Sequence, residues 1–400
     1  MDKKMIKYIC ILVGLLIAVF FVMWLSSQLS GKGSSKKYTY SDVEDKIVSA
    51  AKKYVDDNPG ILPTAIGTST ILSTSALIDK GYLNELSSYI KDEVSCNGSV
   101  EIYAADNNVY NYIPELICGT KYETTKLVDK VLTDNNYGEV QGPGLYLRVD
   151  GKFVDDYNDL IVNVGIDDFE YIFRGDSVNN YVKIDENVWR IVSIDSYNNM
   201  LMIFNNHAQK VSAWDDRYNS DYNKNQGINN YSLNKVDSRI KTVVDEFYAG
   251  KIPLEDRVEY SDKTKYLTTA MDLCIGKRSS TSSDLNGTEE CSVILEDQKV
   301  GLLPAYYYMS ASLDPGCNSI VSKNCGNFNY LSDFDDYWWL LTANSDNTNE
   351  AYAVSKMYAE SALCSNKTSV KPIIKIGSRA IYESGNGSME DPYVIKFSMN

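Results

Sequence analysis

Histidine is almost absent: the 400 residues contain one, His207. That excludes a histidine-rich zinc site and leaves a single residue for any histidine-based triad. The eight cysteines show no C-x-x-C spacing, so neither a metal ribbon nor a thioredoxin-type site is indicated. Excess positive charge is also missing. The formal net charge is −15, and residues 1–37, with six Lys and one Asp, carry +5, which leaves −20 on the rest of the chain. An acidic body repels phosphate, so nucleic acid is not expected as a partner. Two residue types are plentiful instead: 31 tyrosines, and asparagine, which is absent from residues 1–50 and dense in the C-terminal half. Hydrophobic residues at 44% and charged residues at 23% are an ordinary globular balance, and the length suggests two or three domains.

Tyr8 to Leu25 is an uncharged run of 18 residues, about the minimum for a bilayer span. Lys3, Lys4 and Lys7 precede it, and Trp24 sits near its far end, where an interfacial aromatic belongs. A cleaved signal peptide is the alternative, but the SSQLSGKGSS that follows has no A-x-A site. The expectation is an uncleaved anchor over 1–30, inside N-terminus, single-pass in the cell membrane with the C-terminal domain extracellular. Cysteine usage agrees. Cys96/Cys118, Cys274/Cys291 and Cys317/Cys325 are close pairs flanked by Gly, Asn and Ser, read as loop-closing disulfides in an oxidising exterior. Reduced, buried thiols are the alternative, and Cys364 is left over.

A Gly/Ser/Lys stalk over 31–40 leads to Ser41-Asp-Val-Glu44, which fits a capping box with Ser41 as N-cap. Val43, Ile47, Ala50, Ala51 and Tyr54 follow at helical spacing until Asn58-Pro59-Gly60. A short helix is expected over Ala76 to Lys80, then a hairpin from Cys96 to Cys118 turning at Asp106-Asn107-Asn108. Residues 41–125 thus read as a small α+β module. It resembles the heads of Gram-positive pseudopilin-like proteins, through ALIDKGYLNEL and CNGSVEIY, although the prepilin cleavage motif is missing. Residues 126–168 read as connecting strands, LYLRV and LIVNVG. Beyond them, Val188 to Phe204 reads as a hairpin with an Asn-Asn turn, and Ile240, Val243, Val244 and Phe247 mark an amphipathic helix.

From 169 to 398 a further set of motifs runs in order. It comprises Trp189-Arg190, Trp214 with Ser232-Leu233-Asn234, Gly301-Leu302 and Tyr337-Trp338-Trp339-Leu340. Val370-Lys371-Pro372-Ile373-Ile374 and Gly385-Asn386-Gly387-Ser388 before Pro392-Tyr393-Val394-Ile395 complete it. The set resembles a family of bacterial surface domains with a formylglycine-generating-enzyme-like fold, a variant of the C-type-lectin-like fold. The resemblance implies an α+β chain: an N-terminal transmembrane helix, the small module, then a lectin-like mixed β domain with many loops. Lys371 departs from the family's usual Arg. The enzyme of this fold uses a copper-binding cysteine pair near its C-terminal end. Here Cys364 stands alone after Cys325, so that activity is not implied.

Calcium binding by lectin-like folds relies on E-P-N or Q-P-D loops, which are missing; Asp215/Asp216 and Asp333/Asp335/Asp336 read as solvated acidic loops. No cofactor and no metal site is expected. His207 lacks an acid or nucleophile partner, no catalytic constellation is found, and an enzyme is not expected. Trp189 reads as core. Trp214, Asp216, Tyr307, Trp338 and Trp339 are the candidate ligand-binding residues, with Trp338 and Trp339 pointing to opposite faces of a strand and Tyr306-Tyr307-Tyr308 partly in the core. The expected function is recognition or adhesion at the bacterial cell surface, with an extracellular glycan or surface protein as partner. A pseudopilin-like component of a secretion or uptake apparatus is the alternative.

Overall fold

The computed structural model describes residues 38–90, 94–135, 142–149, 151–154, 169–205, 211–251, 262–334, 337–355 and 358–397. The expected anchor, most of the stalk, the LIVNVG strand, His207, Asp335 and Asp336 lie outside the described residues. Among the described residues no helix is long and apolar enough to cross a membrane. The described residues group into two compact units, one drawn from 38–57, 72–99 and 114–123, the other from 58–71, 100–113 and 124–397.

The expected α+β class is corrected. The described chain is mostly β sheet with six helices, and only two of those, Tyr40–Asp57 and Arg239–Tyr248, reach ten residues. The helical periodicity was real but local. Elsewhere turn-forming Asn and Gly interrupt the chain every few residues, and backbone groups that cannot bond within a segment bond between strands.

In the first unit, helix Tyr40–Asp57 buries Val43, Ile47, Val48, Ala50, Ala51 and Val55 along one stripe. Its cap lies two residues before the expected box. Thr39 Oγ1 accepts the Asp42 N–H at 3.1 Å, and Asp42 Oδ2 accepts the Thr39 N–H at 2.9 Å. Glu44 is therefore released from capping; it is buried and accepts the Tyr122 hydroxyl at 2.7 Å. The second helix is Thr74–Asp79, capped by Ser73. Strands Cys96–Asp106 and Val109–Cys118, of which residues 96–99 and 114–118 belong to this unit and 100–113 to the other, form the expected hairpin, tied by the Cys96–Cys118 disulfide. Asn108 takes the left-handed conformation its turn needs, at φ 58°.

The second unit is built on two sheets. The larger runs in the order Thr268–Thr269, Pro372–Ile376, Met200–Phe204, Asn187–Asp195, Phe169–Arg174, Gly144–Val149, Lys152–Phe153, with further short strands joining it. The LYLRV segment thus pairs residue by residue with Phe169–Arg174 inside this sheet. The expected hairpin is present. Asp195 Oδ1 accepts the N–H groups of Tyr197 and Asn199 at 3.0 and 2.9 Å, and Asn198 sits at φ 61°. Every residue of Met200–Phe204 is buried, as expected of a strand covered on both faces. Trp189 pairs with Phe204 across the strands, their rings edge-to-face at 5.2 Å, and Phe247 of helix Arg239–Tyr248 packs on Phe204 at 5.9 Å.

The second sheet runs Val211–Ala213, Lys367–Ser369, Trp338–Asn344, Glu350–Val354, Ala359–Leu363, with Lys277–Arg278 joining Trp338–Asn344 in parallel. All seven residues of Trp338–Asn344 are buried. The two remaining disulfides, Cys274–Cys291 and Cys317–Cys325, form as expected, and Cys364 is a buried free thiol.

Candidate functional site

The structure separates the five sequence-selected binding residues. Trp214, Trp338 and Trp339 are fully buried. The Trp214 Nε1–H donates to the Leu340 carbonyl at 3.1 Å, and that of Trp339 to the Ser212 carbonyl at 2.9 Å. These indoles stitch loop to sheet and offer no ring face to a ligand, because both sides of the Trp338 strand are covered. Asp216 lies on the surface in an ion pair with Arg239 at 3.1 Å. Its neighbour Asp215 is fully buried against the Arg217 guanidinium rather than sitting in a solvated loop. Trp189 is core as expected, and Arg190 beside it lies between the rings of Tyr181 and Tyr330 at 4.3 and 4.4 Å.

Of the five, Tyr307 lines a cleft among the described residues. The cleft encloses about 440 Å³, including space open to solvent, and draws on four stretches of the second unit. Register explains the floor: Ser193 and Lys375 both pair with Leu201, which sets the three side by side across neighbouring strands. Asp195, two residues from Ser193 and so on the same face, meets Lys375 Nζ at 3.2 Å. Asn199 comes from the hairpin turn, Asp272 from strand Met271–Cys274, and Tyr306 and Tyr307 from helix Ala305–Ser310, whose N-cap is Pro304.

A polar network backs the phenols. The Tyr307 hydroxyl donates to Glu170 Oε2 at 3.0 Å and accepts a hydrogen bond from Ser193 Oγ at 3.4 Å. Glu170 in turn binds the Arg148 guanidinium, which also donates to the Leu285 carbonyl at 2.6 Å. Burial works against charge on Arg148, but Glu170 outweighs it and holds its pKa above the ordinary arginine value. Tyr306 packs on Tyr307 at 4.3 Å and covers Gly287, where a Cβ would come within 2.5 Å of the Tyr306 ring. Burial pushes both phenol pKa values up, with Glu170 adding to the rise. The rings are therefore neutral at physiological pH, and act as stacking and hydrogen-bonding groups.

The cleft thus combines carboxylates, an ammonium, an amide and phenols with the apolar side chains of Leu201, Met271, Leu273 and Ile373, a mixed lining suited to a polar ligand that also has apolar surface. Among the described residues no group of three or more His, Cys, Asp or Glu is placed to hold a metal ion. Asp195, Asp272, Lys375, Glu170 and Arg148 went unread in the sequence. Asp195 looked like the start of a turn, and nothing local links it to Lys375, 180 residues on. No family model matches the chain, and neither a curated protein nor a solved structure matches it.

Nine of the asparagines have a role inside the fold. Asn180, Asn219, Asn229, Asn329 and Asn344 are buried, and the first four donate to backbone carbonyls. Asn108, Asn198, Asn223 and Asn234 occupy left-handed turn positions. Cys364 is fully buried, and burial pushes its thiol pKa well up, with Asp215 and Glu350 adding to the effect. Iodoacetamide is expected to leave Cys364 unmodified in the native chain and to label it within minutes in denaturant. Peptide mapping checks this, and equal labelling in both states would contradict the burial.

Proposed function

We propose that this chain is a membrane-anchored recognition protein on the outside of a bacterial cell, and that its ligand is a glycan. The observation that carries the reading is the cleft, which Tyr306 and Tyr307 line together with Asp195, Asp272, Asn199 and Lys375. Sugars present hydroxyls to carboxylate, ammonium, amide and phenol groups, and these residue types are the ones that line the cleft. Two further features support it. The three disulfides fit an oxidising exterior, and one of them, Cys274–Cys291, ties the cleft wall. The uncharged Tyr8–Leu25 run is of anchor length.

The test is a binding screen of the full-length chain in detergent against soluble cell-wall polysaccharides and a glycan panel. Asp272 is exposed, with its carboxylate accepting only the Asp297 N–H at 3.1 Å among the described contacts, so its removal perturbs the fold little. Asp272→Ala is expected to weaken binding about tenfold, or ~1.4 kcal/mol, with an unchanged circular dichroism spectrum. Absence of any glycan ligand, or equal affinity in the variant, would overturn the proposal.

A further inference from the structure

Outside the cleft, one pair of side chains is arranged for a covalent reaction. Lys277 Nζ lies 2.6 Å from Asn229 Oδ1. Asn229 is 1% exposed, and Lys277 is half-buried on the strand that joins Trp338–Asn344. A C=O bond is about 1.23 Å long, so the Asn229 amide carbon is within about 3–4 Å of the amine. That is close to the separation at which bonds form in oriented pairs.

The other end of the amide is held with unusual care. Asn229 Nδ2 has three backbone carbonyls around it: Asn344 O at 2.7 Å, Asn347 O at 2.6 Å and Glu350 O at 2.8 Å. Its own backbone N–H donates to Thr348 O at 2.9 Å, so one turn grips the residue at four points. An amide nitrogen has two hydrogens and can fully satisfy two acceptors. Three acceptors suit a nitrogen that carries three hydrogens, which is what Nδ2 becomes when it is protonated to leave. The carbonyl dipoles also favour the positive charge that develops there. The amine is prepared as well, because burial lowers the Lys277 pKa and so raises the fraction of neutral, nucleophilic nitrogen.

We propose that Lys277 and Asn229 become joined by an intramolecular amide bond. The Nζ lone pair attacks Cγ, and a tetrahedral intermediate forms. A proton passes from Nζ to Nδ2, the Cγ–Nδ2 bond breaks, and one ammonia leaves. The Nζ–Cγ bond replaces the bond lost, and no oxidant or cofactor is consumed. The product is a bridge across 48 residues that pins the Asn229 loop to the second sheet. Unlike a disulfide it withstands reduction. The bridge is independent of what the cleft binds.

Mass spectrometry of the full-length chain, reduced and alkylated, decides the matter. The intact mass is expected to fall short of the sequence mass by one ammonia. Trypsin is expected not to cleave after Lys277, and a branched peptide pair joining Asn229 to Lys277 should appear. The branched pair is the deciding signal, because Asn97, Asn286 and Asn386 precede glycine and can lose ammonia by succinimide formation. Lys277→Arg should restore the missing ammonia and abolish the pair. Linear peptides with intact Asn229 and Lys277, recovered quantitatively from folded wild-type protein, would overturn the proposal whether or not the variant folds.

Discussion

Replacing Glu290 with alanine is expected to destabilise the chain by about 3–5 kcal/mol, because it strands a buried guanidinium. Arg278 and Glu290 are both fully buried. Arg278 Nη1 reaches the two carboxylate oxygens at 2.8 and 2.9 Å, and its other terminal nitrogen donates to the Asp284 carbonyl. The Arg278 carbonyl accepts the Tyr352 hydroxyl at 3.1 Å, so the pair is tied into the second sheet as well. The approach depends on Gly276, where a Cβ would sit 2.5 Å from the Glu289 and Glu290 carbonyl oxygens. Burial is the main influence on Glu290 and pushes its pKa up, with Arg278 pulling the other way. A carboxyl whose folded pKa is raised adds stability that is present below its unfolded pKa and lost as pH rises through the folded one. The acid limb of the pH–stability curve should therefore not steepen through this residue.

Urea titration of Glu290→Ala, Arg278→Met and the Arg278→Met/Glu290→Leu double variant tests the argument. Each single change leaves a buried charge or its partners unmatched, whereas the double change removes both charges and keeps much of the volume. The double variant should recover most of the loss. Single variants within about 1 kcal/mol of wild type would show that the pair is not desolvated as described.

Trp339→Ala is expected to cost a similar amount, about 3–5 kcal/mol, for a different reason. The indole is wholly buried in the second sheet, and its Nε1–H satisfies the Ser212 carbonyl on strand Val211–Ala213. Truncation leaves a cavity and an unmatched acceptor together. Trp339→Phe keeps most of the packing and isolates the lost hydrogen bond, for which about 1–3 kcal/mol is expected. Chemical denaturation of both variants gives the two numbers. A small loss for Trp339→Ala would return this residue to the surface, where the sequence reading had placed a ligand.

Local features were legible. The stripe Val43, Ile47, Ala50 and Ala51 specified its helix, and the Asn198 turn specified its hairpin, because each depends on residues within a few positions. The three disulfides followed from nearness in sequence; the longest separation is 22 residues. The helix cap was missed by two residues because Thr39 and Ser41 offer the same hydroxyl, and only the backbone path decides which one faces the first N–H groups.

The aromatic candidates failed on a different point. Trp214 in a polar loop and Trp339 on a strand give the same local signal whether they are exposed or covered. Cover comes from strands distant in the chain: Ser212 and Leu340 accept the two indole hydrogens across about 127 residues. The cleft was hidden for the same reason, since Asp195 and Lys375 meet only through the pairing of both flanking strands with Met200–Phe204.

The sequence by itself determined the acidic, histidine-poor character of the chain, its cysteine pairs, its turns and its two longest helices, all set by composition or by neighbours along the chain. Tertiary structure alone decided that the described chain is mostly β, that Trp214, Trp338 and Trp339 are core, that Arg278 finds Glu290, and that Lys277 rests against Asn229. Sheet pairing joins residues that no local periodicity connects, and burial depends on what the rest of the chain lays over them.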